Sequence, residues 1–322
     1  MNRQKNHRHS VRSNTENNQA TSTNRSAVNS IDPNFEEQAG LHPELVTDWL
    51  SILIKENRER IENVNDTFRI FVHSKSVQYF FTICLRLRLP QDVKYIAIGI
   101  FNDFMIEHIC GLYTMISCLP DRSNEEKIKE WDKIESTISR QLTLRVISCI
   151  QIASKIHSYN DSLCTKSVRR CLQSLGLSYT EEAVKKSEVR VLNTVGFCVN
   201  TRQTPVAYIE SVLEILIIRK KDDRMNVRNL WEYSILILDC VFLRMEEVYL
   251  RLLVMIHGQE ARHLGRDRII RLQSDYLLLS AGVILSSCLC VHGSDFAGEI
   301  VPLLGQICSL PVEDARTFPL LL

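Results

Sequence analysis

The stretch at residues 141–159, QLTLRVISCIQIASKIHSY, constrains the fold more than any other part of the chain. Between Leu142 and Ile156 only Arg145 and Lys155 are charged. Leu142, Leu144, Val146, Ile147, Ile150, Ile152, Ala153 and Ile156 cover more than one face of a helix. A helix that is apolar almost all round is either enclosed by other helices or crosses a membrane. This run is too short, and too polar at Ser148, Gln151, Ser154 and Lys155, to cross one. It is therefore expected at the centre of a bundle, where Ser148, Cys149, Ala153 and Ser154 let neighbours come close. Lys155 falls near its C-terminal end, where the helix dipole favours a cation.

Around it the periodicity is helical and almost nowhere alternates with period two, so the fold class is all-α. A leading amphipathic helix is predicted over 41–64, with Leu45, Trp49, Ile52, Leu53 and Glu56 in helical spacing. Helices follow at 68–87 and, opened by Pro90 and Asp92, at 93–115. Residues 120–136, Trp131 included, read as a charged connection. After the central helix come a short helix at 163–175 closed by Gly176, and one capped by Thr180 that runs to Val195 and Gly196.

The second half repeats the theme. Thr204 and Pro205 open a helix, proline being tolerated in a first turn where no N–H is needed. A charged turn at 219–228, a single long helix at 229–256 and a basic turn at 262–271 lead to SDYLLLSAGVILSSCLCV at 274–291. That run is again apolar all round. Setting IASKI (152–156) against LSSCL (285–289) puts Cys288 where Lys155 stands. One more helix, 298–307, leaves the second bundle about one helix short. Three segments result: a disordered, mildly basic polar tail (1–40), a first five-helix bundle with its leading helix (41–200), and a degenerate, truncated second bundle (201–322).

The totals exclude several functions. Of the 322 residues 45% are hydrophobic and the net charge is +1, which argues against a body that grips duplex DNA by neutralising phosphates. Eleven cysteines lie mostly inside apolar runs, with no secretory signal ahead of them, as in an intracellular protein with reduced thiols. Neither Cys288 with Cys290 nor His7 with His9 has a second pair at zinc spacing, so no metal or cofactor is expected. No phosphate loop, HExxH helix or nucleophile elbow is present, and no enzyme is expected. Asp222 with Asp223, and Glu246 with Glu247, read as solvated charges.

Four motifs, in order and at matching spacing, resemble those of cyclins. IASKI at 152–156 resembles the ASK signature on the third helix of a cyclin box, and SEVRVLNTVGF at 187–197 resembles the fifth-helix pattern. TPVAY at 204–208 resembles the opening of a second box, and IFNDFM at 100–105 resembles the second-helix pattern usually written YIDRFL. Residues 143–155 and 203–215 are most similar to the cyclin N-terminal domain-containing family, a divergent group that promotes crossover designation and maturation in meiosis. The resemblance implies tandem cyclin-box bundles and a non-enzymatic regulatory or scaffold role in the nucleus, on meiotic chromosomes. Its implied partners are a cyclin-dependent kinase and meiotic recombination proteins, with no membrane and no direct nucleic-acid binding. It also implies that Lys155 and Glu188, the latter opening the fifth helix, lie side by side and hydrogen-bond the kinase. The chain departs from the pattern in two places. After ASK it has Ile156, His157 and Ser158 instead of an aromatic and two acids, and residues 72–79 lack the apolar substrate groove of mitotic cyclins. Two alternatives stand beside the scaffold reading: an activating kinase subunit, and a two-box DNA binder using Arg262, Arg266, Arg268 and Arg271.

Overall fold

A computed structural model describes residues 33, 35, 43–118, 123–158, 162–199, 203–258 and 266–310. Of the expected polar tail only residues 33 and 35 are among these, with Phe35 meeting Trp231 edge to face at 5.7 Å; Arg262 and the residues after 310 lie outside them. Among the described residues there are twelve α-helices and no strand. They are α1 (Pro43–Glu62), α2 (Ser74–Arg86), α3 (Gln91–Ser117), α4 (Asn124–His157), α5 (Thr165–Ser174), α6 (Glu181–Thr194), α7 (Pro205–Lys220), α8 (Val227–Leu243), α9 (Met245–His257), α10 (Arg266–Ser274), α11 (Tyr276–His292) and α12 (Ser294–Cys308). The all-α fold read from the sequence is the fold observed.

Two helices are enclosed by the others. Every residue of α4 from Leu144 to Ser154 is buried, packed chiefly on α3 and α6 with α2 and α5 beyond. In α11 every residue from Leu277 to Cys288 is buried, against α7, α8 and α12. The α4 helix is longer than expected. Residues 124–136 are its first turns rather than a connection, because Ser123 starts a capping box. Ser123 Oγ accepts the Glu126 N–H at 3.3 Å, and the Glu126 carboxylate accepts the Ser123 N–H at 2.9 Å. Trp131 then meets Tyr113 of α3 edge to face, with ring centroids 6.2 Å apart.

Several helix ends follow their sequence signals. Thr180 and Thr204 cap α6 and α7 with side-chain bonds to Ala183 N–H (3.1 Å) and Ala207 N–H (3.3 Å). Gly176 closes α5 with φ +78°: its N–H reaches Gln173 C=O and that of Leu177 reaches Leu172 C=O, each at 3.0 Å. This left-handed turn is the one glycine adopts without a Cβ penalty.

Three expected elements differ. The segment predicted as a helix from 68 begins only at Ser74; residues 68–71 form a turn in which Arg69 has φ +53°. The long helix expected over 229–256 breaks at Arg244 into α8 and α9, with no proline or glycine at the break. The basic stretch at 266–271 is helical, with Arg266, Arg268 and Arg271 exposed on α10.

The two halves are joined by polar contacts at low exposure. Lys94 Nζ of α3 sits 2.6 Å from Asp239 Oδ1 of α8, and the Tyr95 hydroxyl donates to the same carboxylate. Burial, then the Asp239 charge, pushes the Tyr95 phenol well above its ordinary pKa. From the turn before α2, Arg69 Nη2 donates to the Tyr276 hydroxyl at 2.7 Å. The leading helix α1 packs on α7, α10 and α11, all in the second half. Its inward side is the expected one only in part: Leu53 is fully buried and Trp49 donates to Ser211 Oγ at 2.9 Å. Leu45 and Ile52 are exposed, whereas Leu50, Leu53, Asn57 and Arg60 are buried. Asn57 Nδ2 donates to Asp275 Oδ1 and Asn57 Oδ1 accepts the Tyr276 N–H, both at 2.8 Å. The Arg60 guanidinium lies 4.0 Å from the Tyr276 ring centroid and donates to the Tyr208 hydroxyl.

In length and apolarity α3 would suit a membrane span. Its Val93, Ala97, Ile100, Phe101 and Phe104 are instead buried in the protein core.

Candidate partner-binding site

The α4–α6 seam is set by a buried hydrogen-bond network. Ser187 of α6 accepts from Arg145 Nη1 at 2.7 Å, and its hydroxyl meets that of Ser148, also at 2.7 Å. Arg145 Nη2 donates to Gln141 Oε1 at 2.7 Å. With Ser187 turned inward, the next residue, Glu188, is rotated by about 100° toward the end of α4. There its carboxylate accepts a hydrogen bond from Lys155 Nζ. The structure thus brings together the two residues singled out from the sequence. The side chain of Lys155 remains 43% exposed and that of Glu188 12%.

Lys155 and His157 occupy the last turn of α4, where positive charge is favoured. The same argument fails for Glu188. The first-turn acids of α6 are Glu181 and Glu182, and Glu188 lies two turns further in. What holds it is Lys155, not the helix dipole. Solvent reaches the pair from the Lys155 side and screens it, so it adds about 1 kcal/mol to stability and leaves the ammonium open to a third group. Beside the pair, Val189 is 52% exposed.

A second polar contact flanks this edge. Asp92, in the first turn of α3, accepts from Thr204 Oγ1 at 2.6 Å while Thr204 also caps α7. Burial raises the Asp92 carboxyl pKa, and the Thr204 bond and the charge of His157 act the other way. Both residues are visible in the sequence as helix starts, but nothing in their spacing announces that they meet.

The remaining candidates are placed as follows. Cys288, opposite Lys155 in the repeat, is fully buried, and burial lifts its thiol to a pKa of about 12. Around residues 72–79 the exposed side chains are His73, Ser74, Lys75 and Gln78, and the Tyr79 hydroxyl is bonded to Thr143 Oγ1. Asp222 is not a lone solvated charge. It binds Arg224 at 2.7 Å, and Arg224 and Lys220 both reach Glu299 of α12, so the carboxyl is held well below the usual range, chiefly by the Arg224 bonds. Glu247 is paired with Arg244 and Arg251. None of the eleven cysteines is disulfide-bonded. Among the described residues no three His, Cys, Asp or Glu side chains gather as metal ligands.

Two apolar central helices, a Lys–Glu pair at the end of the first and the ordered motifs together resemble the cyclin pattern. No family model matches the chain. Two curated proteins do: it is 28% identical over 279 residues to human "Cyclin N-terminal domain-containing protein 1", covering 85% of this chain and 82% of the relative. The mouse protein of the same name is 25% identical over 279 residues, covering 85% and 81%. The chain is thus related, over most of its length, to the cyclin N-terminal domain-containing proteins.

Proposed function

We propose that this chain is a non-enzymatic, cyclin-like regulatory scaffold that promotes crossover designation and maturation in meiosis. It acts in the nucleus on meiotic chromosomes, together with recombination proteins. The observation behind a partner-binding role of either kind, scaffold or kinase subunit, is the Lys155–Glu188 pair, held at the edge between α4 and α6. Charge-assisted donors and acceptors at such an edge suit the backbone groups of a partner protein. The scaffold reading is preferred to an activating one because the chain has Ile156, His157 and Ser158 where activating cyclins carry acids.

Affinity purification from meiotic germ cells tests it, comparing the wild type with the double variant Lys155→Ala/Glu188→Ala. A scaffold retains recombination, clamp-loading or ubiquitin-ligase proteins in both. Recovery of a cyclin-dependent kinase at near one-to-one ratio, lost in the double variant, favours the second reading, an activating kinase subunit. The preserved Lys–Glu pair is what speaks for that second reading.

A further inference from the structure

A cavity of 160 Å³ lies between α3, α4 and α6, its wall formed by Phe104, Ile138 and Leu142 among others, with His108, Arg145 and Arg190 at its polar side. Glu188 and Arg190 are about 200° apart around α6, so this cavity opens away from the Lys155–Glu188 edge.

Its charge is unbalanced. Arg145 is 8% exposed, and the partners that it has, Ser187 and Gln141, are both neutral. Arg190 is exposed on the rim. Among the described residues no carboxylate pairs with either guanidinium, and none figures among the groups that act on Arg145 or His108. The His108 ring is fixed by stacking on Phe104, with centroids 5.1 Å apart and planes 15° apart. Burial first, then Arg190 and Arg145, lower the His108 pKa. Two permanent cations and a ring nitrogen thus converge on an apolar wall; the Phe104 ring, 6.0 Å from the Arg145 guanidinium, and neutral hydrogen bonds offset them in part, but no carboxylate does. A burial that lacks a counter-charge is costly unless a ligand supplies one.

We propose that this cavity binds a phosphorylated side chain of a partner polypeptide, Arg190 and Arg145 taking the phosphoryl oxygens and the Phe104–Ile138–Leu142 wall taking the adjoining aliphatic residue. A phosphoryl group carries about −1.5 to −2 charge near neutral pH and accepts bidentate bonds from guanidinium. A carboxylate, with a single charge, leaves one of the two arginines unopposed. The site is separate from the Lys155–Glu188 edge and does not depend on its function.

The test uses the full chain and a capped tripeptide of phosphothreonine between two leucines, followed by the NMR shifts of the Met105 methyl, which also lines the cavity, and of the His108 ring. Saturable shifts are expected with the phosphopeptide, and none with its unphosphorylated or glutamate counterparts. Arg190→Glu should weaken binding at least tenfold, Arg190→Lys should restore part of it, and Lys155→Ala should change nothing. Arg190 is exposed, and Arg190→Gln serves as a milder variant of the same test. The proposal is overturned by an absent Met105 shift, by equal binding of the glutamate peptide, by inorganic phosphate binding as tightly as the phosphopeptide, or by unchanged affinity in Arg190→Glu.

Discussion

The two enclosed helices, α4 and α11, began from the same kind of sequence and ended differently. Both are apolar all round, rich in small residues, and buried along eleven or twelve consecutive positions. In α4 the run ends on Lys155, which reaches Glu188 at the surface; in α11 the matching position is Cys288, with no exposure at all. The polar groups inside them differ as well. Ser148 and Arg145 of α4 converge on Ser187 of α6, a bond network that sets one helix against another. In α11, Ser286 bonds to Gly282 C=O of the same helix, and Ser287 to Ile284 C=O with one outside partner, Ser234. The first helix is tied by polar groups and exposes its end; the second is mainly a packing element.

That contrast is easiest to break by exchanging the matched residues. Cys288→Lys puts an unpaired charge in the core and should cost more than about 4 kcal/mol, or abolish folding. The reverse change, Lys155→Cys, should cost less than about 1 kcal/mol. Urea unfolding measures both, and comparable losses would erase the distinction. Truncating a core residue in either helix sharpens it from the other side. Ile150→Ala and Ile284→Ala, both at fully buried positions, should each cost about 3 kcal/mol, because as packing elements the two helices are equivalent. A smaller difference is expected between two serines. Ser187→Ala strands a buried guanidinium donor and should cost about 1–3 kcal/mol, whereas Ser287→Ala, which loses only neutral bonds, should cost about 0.5–1.5 kcal/mol.

The smallest effect is one of pH and belongs to the α4 side alone. The folded state holds His108 below its ordinary pKa, so the unfolded chain binds that proton more readily. As pH falls through about 6.5, the fold should lose stability on this account, and the loss should end below the depressed folded value. Arg190→Ala removes a cation facing the ring, so His108 should titrate higher and the loss should shrink. An NMR titration of His108, with urea midpoints between neutral and mildly acidic pH, follows both.

What could be read from the sequence was whatever announces itself locally. The two apolar runs identified the buried helices, Thr180 and Thr204 the helix starts, and Gly176 a left-handed turn. The motifs also paired Lys155 with Glu188, though residues 33 apart gave no sign that the pair replaces a helix-dipole contact. Elements decided by distant partners were not legible. Leu45, Trp49 and Ile52 look like the buried side of α1, but the side that is buried includes Asn57 and Arg60, whose partners lie in the second half. The break at Arg244 carries no proline or glycine to mark it. The helical start of α4 was missed because its charges outweighed the capping box at Ser123. The cavity at Arg190 was missed because it is assembled by three helices.

The docking of α1 also has a consequence in time. Asn57 and its partner Asp275 are separated by 218 positions. At a synthesis rate of about 5–20 residues per second, the ribosome takes roughly ten to forty seconds to deliver the partner after the helix itself. For the first part of that interval α1 has none of its partners, and after α7 emerges it has only that one, through Tyr208 and Ser211. The nascent chain must therefore shelter Leu50, Leu53 and Arg60 in some provisional way until α10 and α11 arrive to complete the docking of α1.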